Sequence, residues 1–188
     1  MSVNLSEKVQ QYLSCPPLKK IDPNTQASEQ QQYSFEQLAI PAVLTALYKY
    51  VQSDAGAEEV LRGDESTNWV GKIFHGNHSN AADNIQTLSS TDVVDVKTKM
   101  NAIANAAITI MKENLAEGAG VKEVKTFFLN QRNNILPYLV AELHLGELVN
   151  DDTVDDNVNK MEGPVSSLIK GIGSAFSNPV TSEDVNKF

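Results

Sequence analysis

Apolar positions in this chain recur mostly every three to four residues, which is the spacing of helices that bury one face. Val93, Val96, Met100, Ile103, Ala107 and Ile110 form one such stripe, thickened by Ala104, Ile108, Met111 and Leu115. Ser90 or Thr91 can cap it, and Gly118 and Gly120 break it, so the longest helix is expected over about 92–117. Its alanines at 102, 104, 106 and 107 favour helix and close approach of neighbours. It is read as the central helix. Val93, Val94 and Val96 come nearest to a strand, but they join the longer helical period. The fold class is therefore all-α: a compact multi-helix domain around a long central helix.

Other helices follow from caps and stops. Asn4 to Glu7 has the spacing of a capping box, and a short helix is expected over about 5–13. Pro16, Pro17, Pro23 and a glutamine-rich run make 14–33 a linker. With the short helix it forms an N-terminal arm, 1–34, either mobile or laid across the body. Ser34 caps the next helix. Pro41 lies deep in that run, so it either kinks the helix or marks a stronger start. Asp54 caps a helix that Gly63 stops. Ser66 or Thr67 opens a short segment closed by His75-Gly76-Asn77, and Ser79 with Asp83 starts another that ends near Ser89. Val121–Asn130 is helical. A proline-led helix is expected over 136–149, and an amphipathic one after Gly163-Pro164. The globular domain is placed at 35–176 and a loose tail at 177–188.

Two stretches match. Ile40-Pro41 with Val43, Leu44 and Leu47 repeats as Leu136-Pro137 with Leu139, Val140 and Leu143. At the same offset, Trp69-Val70 and Ile73 fall on Val165-Ser166 and Ile169. The pattern is that of an internal two-fold repeat of proline-led helical hairpins. Chance likeness between amphipathic helices is its alternative.

Charge narrows the partners. The net charge is −9, and residues 1–34 contribute none of it. An acidic body repels phosphate backbones and anionic bilayers, so neither nucleic acid nor membrane is an expected partner. No apolar run is long enough to span a bilayer, and the first residues lack a basic and apolar leader pattern. Cys15 is the single cysteine, which leaves no internal disulfide. A cytoplasmic location is the resulting expectation. Hydrophobic residues make up 41% of the 188, enough for a real core.

Candidate chemistry is sparse. His75 and His78 are separated by Gly76-Asn77, and His144 is flanked by leucines, so no zinc set is expected. Asp151, Thr153, Asp155, Asn157, Asn159 and Glu162 occupy the oxygen-ligand offsets of an EF-hand loop, but Asp156 replaces the tight-turn glycine and Gly163-Pro164 interrupts the exit helix. Asn130-Gln131-Arg132-Asn133-Asn134 is a polar cluster between apolar runs. Asn130, Arg132 and Asn133 are the candidate ligand residues, with Arg132 able to hold a carboxylate or phosphate through its planar fork. The structural alternative is that these amides satisfy helix ends. No catalytic set and no cofactor loop is identifiable, and none is expected.

At Ile40–Tyr50, Asn68–His75, Asn130–Asn150 and Lys160–Ile169 the chain resembles the YidB-like bacterial family of unknown function. The likeness rests on Ile-Pro-Ala-Val-Leu followed by Leu-Tyr-Lys-Tyr, on Thr67–Phe74, on Asn130–Leu136 and on Asn159–Val165. It implies a compact all-α fold in a cytoplasmic bacterial protein, and no catalytic residues. The leading expectation is a non-enzymatic interaction or scaffold domain that binds an unknown protein partner or a second copy. A small-ligand binder or enzyme at Asn130–Asn134, and a calcium-binding loop at Asp151–Glu162, are the alternatives.

Overall fold

A computed structural model describes residues 3–21, 33–89, 94–140, 143–145 and 149. Among them are eight α-helices and one 3-10 turn, and the one β contact is an isolated bridge between Tyr33 and Ser89. The fold is all-α.

α1 (Leu5–Tyr12) starts at Asn4, whose side-chain oxygen accepts from the Glu7 N–H at 3.3 Å. Its Leu5 and Val9 are fully buried. α2 (Phe35–Tyr50) starts at Ser34, whose hydroxyl accepts from the Gln37 N–H. Pro41 lies inside α2 and does not restart it. Apart from Glu36, every residue of α2 from Phe35 to Tyr48 is buried. A helix apolar all round has to be enclosed all round, and α1, α4, α5, α6 and α8 enclose this one.

α3 (Asp54–Arg62) is capped by Ser53, one residue before the expected Asp54, because the Ser53 hydroxyl accepts from the Gly56 N–H. α4 (Trp69–Ile73) is capped by Asn68 rather than by Ser66 or Thr67. Those two instead bond Asp64 in the preceding turn. α5 runs His78–Leu88.

α6 (Val96–Asn114) is the longest helix, shorter at both ends than the expected 92–117. Asp95 adopts a left-handed φ of 59° and caps the Thr98 N–H, so the chain turns there and the helix cannot extend back. The buried stripe of Met100, Ile103, Ala104, Ala107, Ile108 and Met111 packs α6 among α1, α2, α4 and α5. On its wetter side Asn101, Asn105 and Lys112 hold the loop before α4. Asn101 bonds Thr67 and Val70, Asn105 bonds Glu65, and the Lys112 ammonium donates to the Gly63 carbonyl at 2.6 Å.

α7 (Val121–Leu129) packs on α3. Its first N–H groups are served by Glu123, which accepts from the Gly120 N–H at 2.9 Å. α8 (Arg132–Ile135) then runs into the 3-10 turn Leu136–Tyr138.

The expected proline-led helix over 136–149 does not start at Pro137 among the described residues. Pro137 sits at the start of the 3-10 turn, and Leu139 is extended at φ −70°, ψ 131°. Leu139, Val140, Leu143 and Leu145 are all buried. Their spacing reported burial, which a continuous helix from Pro137 does not provide. The first pair of the proposed repeat therefore differs in structure, with Pro41 in mid-helix and Pro137 opening a turn. The second pair falls on 165–169, which lies outside the described residues. So do the acidic loop 151–162, the helix expected after Gly163-Pro164, and the tail.

Candidate functional site

The polar run after α7 turns its residues in different directions. Asn130 and Asn133 are exposed. Arg132 is half-buried, and its positive charge reaches the buried Tyr48 phenol. Burial pushes Tyr48 up to about 12, and Arg132 opposes that rise. The residue drawn inward is Gln131, 2% exposed. Its side-chain oxygen accepts from the Leu5 N–H at 2.9 Å and from the Asn134 amide at 2.9 Å. The Ser6 hydroxyl donates to the Asn134 carbonyl at 2.6 Å. The first turn of α1 has N–H groups with no partner inside the helix, and Gln131 supplies an acceptor for one of them. For Gln131 and Asn134 the structural alternative holds: they fasten α1 to α8. Asn130, Arg132 and Asn133, the candidate ligand residues, stand around this clasp and are not its bonding groups.

Beyond α1 the chain is seated by two more glutamines. α1 ends in a Schellman turn, with Ser14 in the left-handed region at φ 54° and the Cys15 N–H donating to the Gln10 carbonyl at 2.8 Å. Pro16 and Pro17 then keep the chain out of helix. The Leu18 N–H donates to the Gln10 side-chain oxygen at 2.9 Å, while the Gln10 amide donates to the Ser6 carbonyl at 2.8 Å. Gln37 takes the Lys19 peptide from both sides: the Lys19 N–H donates to its oxygen at 2.7 Å, and its amide donates to the Lys19 carbonyl at 2.9 Å. The same amide reaches the Tyr138 carbonyl at 3.3 Å, and the Ile21 N–H donates to the Pro137 carbonyl at 2.8 Å. Residues 15–21 thus lie as a strap across α1, α2 and the 3-10 turn. Leu18 and Ile21 are half-buried against the core. Residues 3–21 therefore lie across the body. The half-buried Cys15 thiol is raised by burial first and by the Glu36 carboxylate second, so it is a poor nucleophile at neutral pH.

A second cluster joins three elements. Tyr50 ends α2 and donates its hydroxyl proton to Glu59 on α3. The Lys72 ammonium of α4 lies 2.5 Å from the other Glu59 oxygen. The His75 ring stands 6.0 Å from that of Tyr50. Lys72 first and Tyr50 second hold Glu59 below the usual carboxylate range. Burial first, and then Glu59, push Tyr50 up to about 12. At neutral pH Glu59 stays charged and Tyr50 keeps its proton, and the group braces α2, α3 and α4. No local spacing points to it, because its members come from separate elements.

His75 and His78 are not assembled into a ligand set. His75 sits in the turn at φ 46°, and His78 begins α5. His144 is exposed at φ 47°. Among the described residues no group of three His, Cys, Asp or Glu side chains could hold a metal ion. Nor is any helix among them long and apolar enough to cross a membrane. Two of the three glutamines left a trace in the sequence, since Gln10 stands beside Val9 and Gln37 beside Leu38, positions that the helical period buries, whereas Gln131 has polar neighbours on both sides. Compared with protein-family models, curated proteins and solved structures, the chain matches none, so its own geometry carries the functional reading.

Proposed function

We propose that this chain is a non-enzymatic protein-interaction domain, cytoplasmic, which binds a protein partner or a second copy of itself. The observation that carries the reading is that, among the described residues, three large apolar side chains are left in water: Tyr12, 56% exposed at the end of α1, Leu129, 50% exposed at the end of α7, and Val94, 80% exposed just before α6. Solvated aromatic and aliphatic groups of this size are what an interface core is built from. Within the polar run, Gln131 and Asn134 are committed to α1, which leaves Asn130 and Asn133 exposed beside it. An acidic surface favours a protein partner over nucleic acid. Kinship with the YidB-like family belongs to the same proposal. It rests on the sequence segments at 40–50, 67–74, 130–136 and 159–165, and superposition on a member of that family tests it.

Light scattering and affinity capture from lysate test the function. The expected result is a dimer or a captured protein with the natural chain, lost in Tyr12→Glu/Leu129→Glu while circular dichroism stays the same. A lone monomer that captures nothing overturns the reading.

A further inference from the structure

We propose that the trough between α1, α2 and the 3-10 turn is a peptide-binding groove. In this structure residues 18–21 occupy it in cis, and its partner in trans is an extended segment of another protein with the pattern apolar-basic-basic-apolar. This deepens the interaction reading and rests on it.

The argument begins with what holds the strap. Four main-chain groups of residues 18–21 are taken up: Leu18 N–H by Gln10, Lys19 N–H and carbonyl by Gln37, and Ile21 N–H by the Pro137 carbonyl. Every one of these bonds is made to backbone, so none depends on which residue stands there. Recognition of an extended peptide through its backbone, with alternate side chains read separately, is a recurrent binding mode. Gln37 is suited to it. A primary amide carries a donor and an acceptor side by side, and it meets the N–H and carbonyl of one residue as a neighbouring strand would.

Side-chain selection then falls to Leu18 and Ile21, which are half-buried against the core at positions i and i+3. Lys19 and Lys20 between them are exposed. Basic residues suit this place. Glu36, next to Gln37 on α2, is close enough to act on Cys15 at the near end of the strap, which puts a carboxylate on this side of the groove. Two of the groove's side chains have bonds besides those to the strap. Gln10 is braced on the Ser6 carbonyl, and Gln37 is braced on the Tyr138 carbonyl. A tethered strap competes at high effective concentration, so a free peptide gains entry mainly when the strap is weakened.

The test uses the full chain and a fluorescently labelled peptide, Pro-Pro-Leu-Lys-Lys-Ile, read by anisotropy. Leu18→Ser/Ile21→Ser is expected to bind this peptide about tenfold tighter than the natural chain, and adding Gln37→Ala is expected to remove about tenfold again. Two results overturn the groove: no saturable binding by a folded Leu18→Ser/Ile21→Ser chain, or binding indifferent to Gln37→Ala. Hydrogen exchange on the natural chain gives a second reading that needs no variant. The Leu18, Lys19 and Ile21 amides are expected to exchange about a hundredfold faster than those of α2. Exchange at the rate of α2 would make the strap inseparable from the core and overturn the proposal. Failure of the peptide alone leaves capture through Tyr12 and Leu129 standing, so the two readings fall separately.

Discussion

The indole of Trp69 lies against the bare Cα of Gly63. A Cβ at position 63 would come within 2.2 Å of the Trp69 Cζ2 atom and 2.4 Å of Cη2. Trp69 is 1% exposed, at the start of α4, and has little room to move. Gly63→Ala should therefore destabilise the fold by about 1–3 kcal/mol through overpacking. Trp69 is the single tryptophan, so its emission reports the site directly. A lower urea midpoint with altered emission is expected, and an unchanged midpoint would contradict the contact.

Thr45 places a hydroxyl in the middle of α2 at 2% exposure, with no hydrogen-bond partner for Oγ1. Burying such a group costs free energy that an apolar side chain of the same shape does not. Thr45→Val should raise stability by about 1 kcal/mol, or roughly 2–4 °C in thermal midpoint for a domain of this size. Calorimetry checks it, and a fall in midpoint would show that the hydroxyl is satisfied.

Gln131→Met keeps the length of the side chain and removes its acceptor. The Leu5 N–H then remains buried without a partner, at a cost of about 1–3 kcal/mol. The loss should be local at first. Amides of α1 should exchange faster in this variant, while those of α6 change less. Uniform acceleration throughout the chain would argue against a clasp.

Tyr48 and Tyr50 set the alkaline limit. Each phenol has an ordinary value of 10.0 and is pushed up to about 12 in the fold, with burial as the main cause. Their contribution is whole below pH 10 and is lost as pH rises through about 12, because only the unfolded chain releases the protons easily. Urea midpoints measured from pH 8 upward should fall in that window. Tyr48→Phe should flatten part of the fall. Glu59 acts on the acid side. Its carboxyl is held low, so its support is present above the ordinary 4.5 and disappears as pH drops through the lowered value.

Helices were legible where a cap, an apolar stripe and a stop agreed. Asn4, Ser34 and Gly63 stand where their side chains or their lack of one required, and α6 carries the stripe read from its sequence. The segment after Ile135 was misread for a physical reason. Leu139, Val140, Leu143 and Leu145 needed burial, and periodicity cannot say whether one continuous helix provides it. The site was less legible than the fold. Asn130, Arg132 and Asn133 drew notice as a charged and polar run, yet the bonds are made by Gln131 between them and by Gln10 and Gln37 far away in sequence. For Gln10 and Gln37 the apolar neighbours Val9 and Leu38 were the available signal, and Gln131 had none. Tyr50, Glu59, Lys72 and His75 offered none, since only tertiary packing brings them together.

The bond from Leu5 to Gln131 spans 126 positions. A growing chain emerges from the ribosome amino end first, so α1 appears long before its acceptor has been synthesised. Until then its first turn has only water to serve that N–H. Completion of the fold is thus tied to synthesis past residue 134, and a translational stall before that point would release an N-terminal helix available to chaperones.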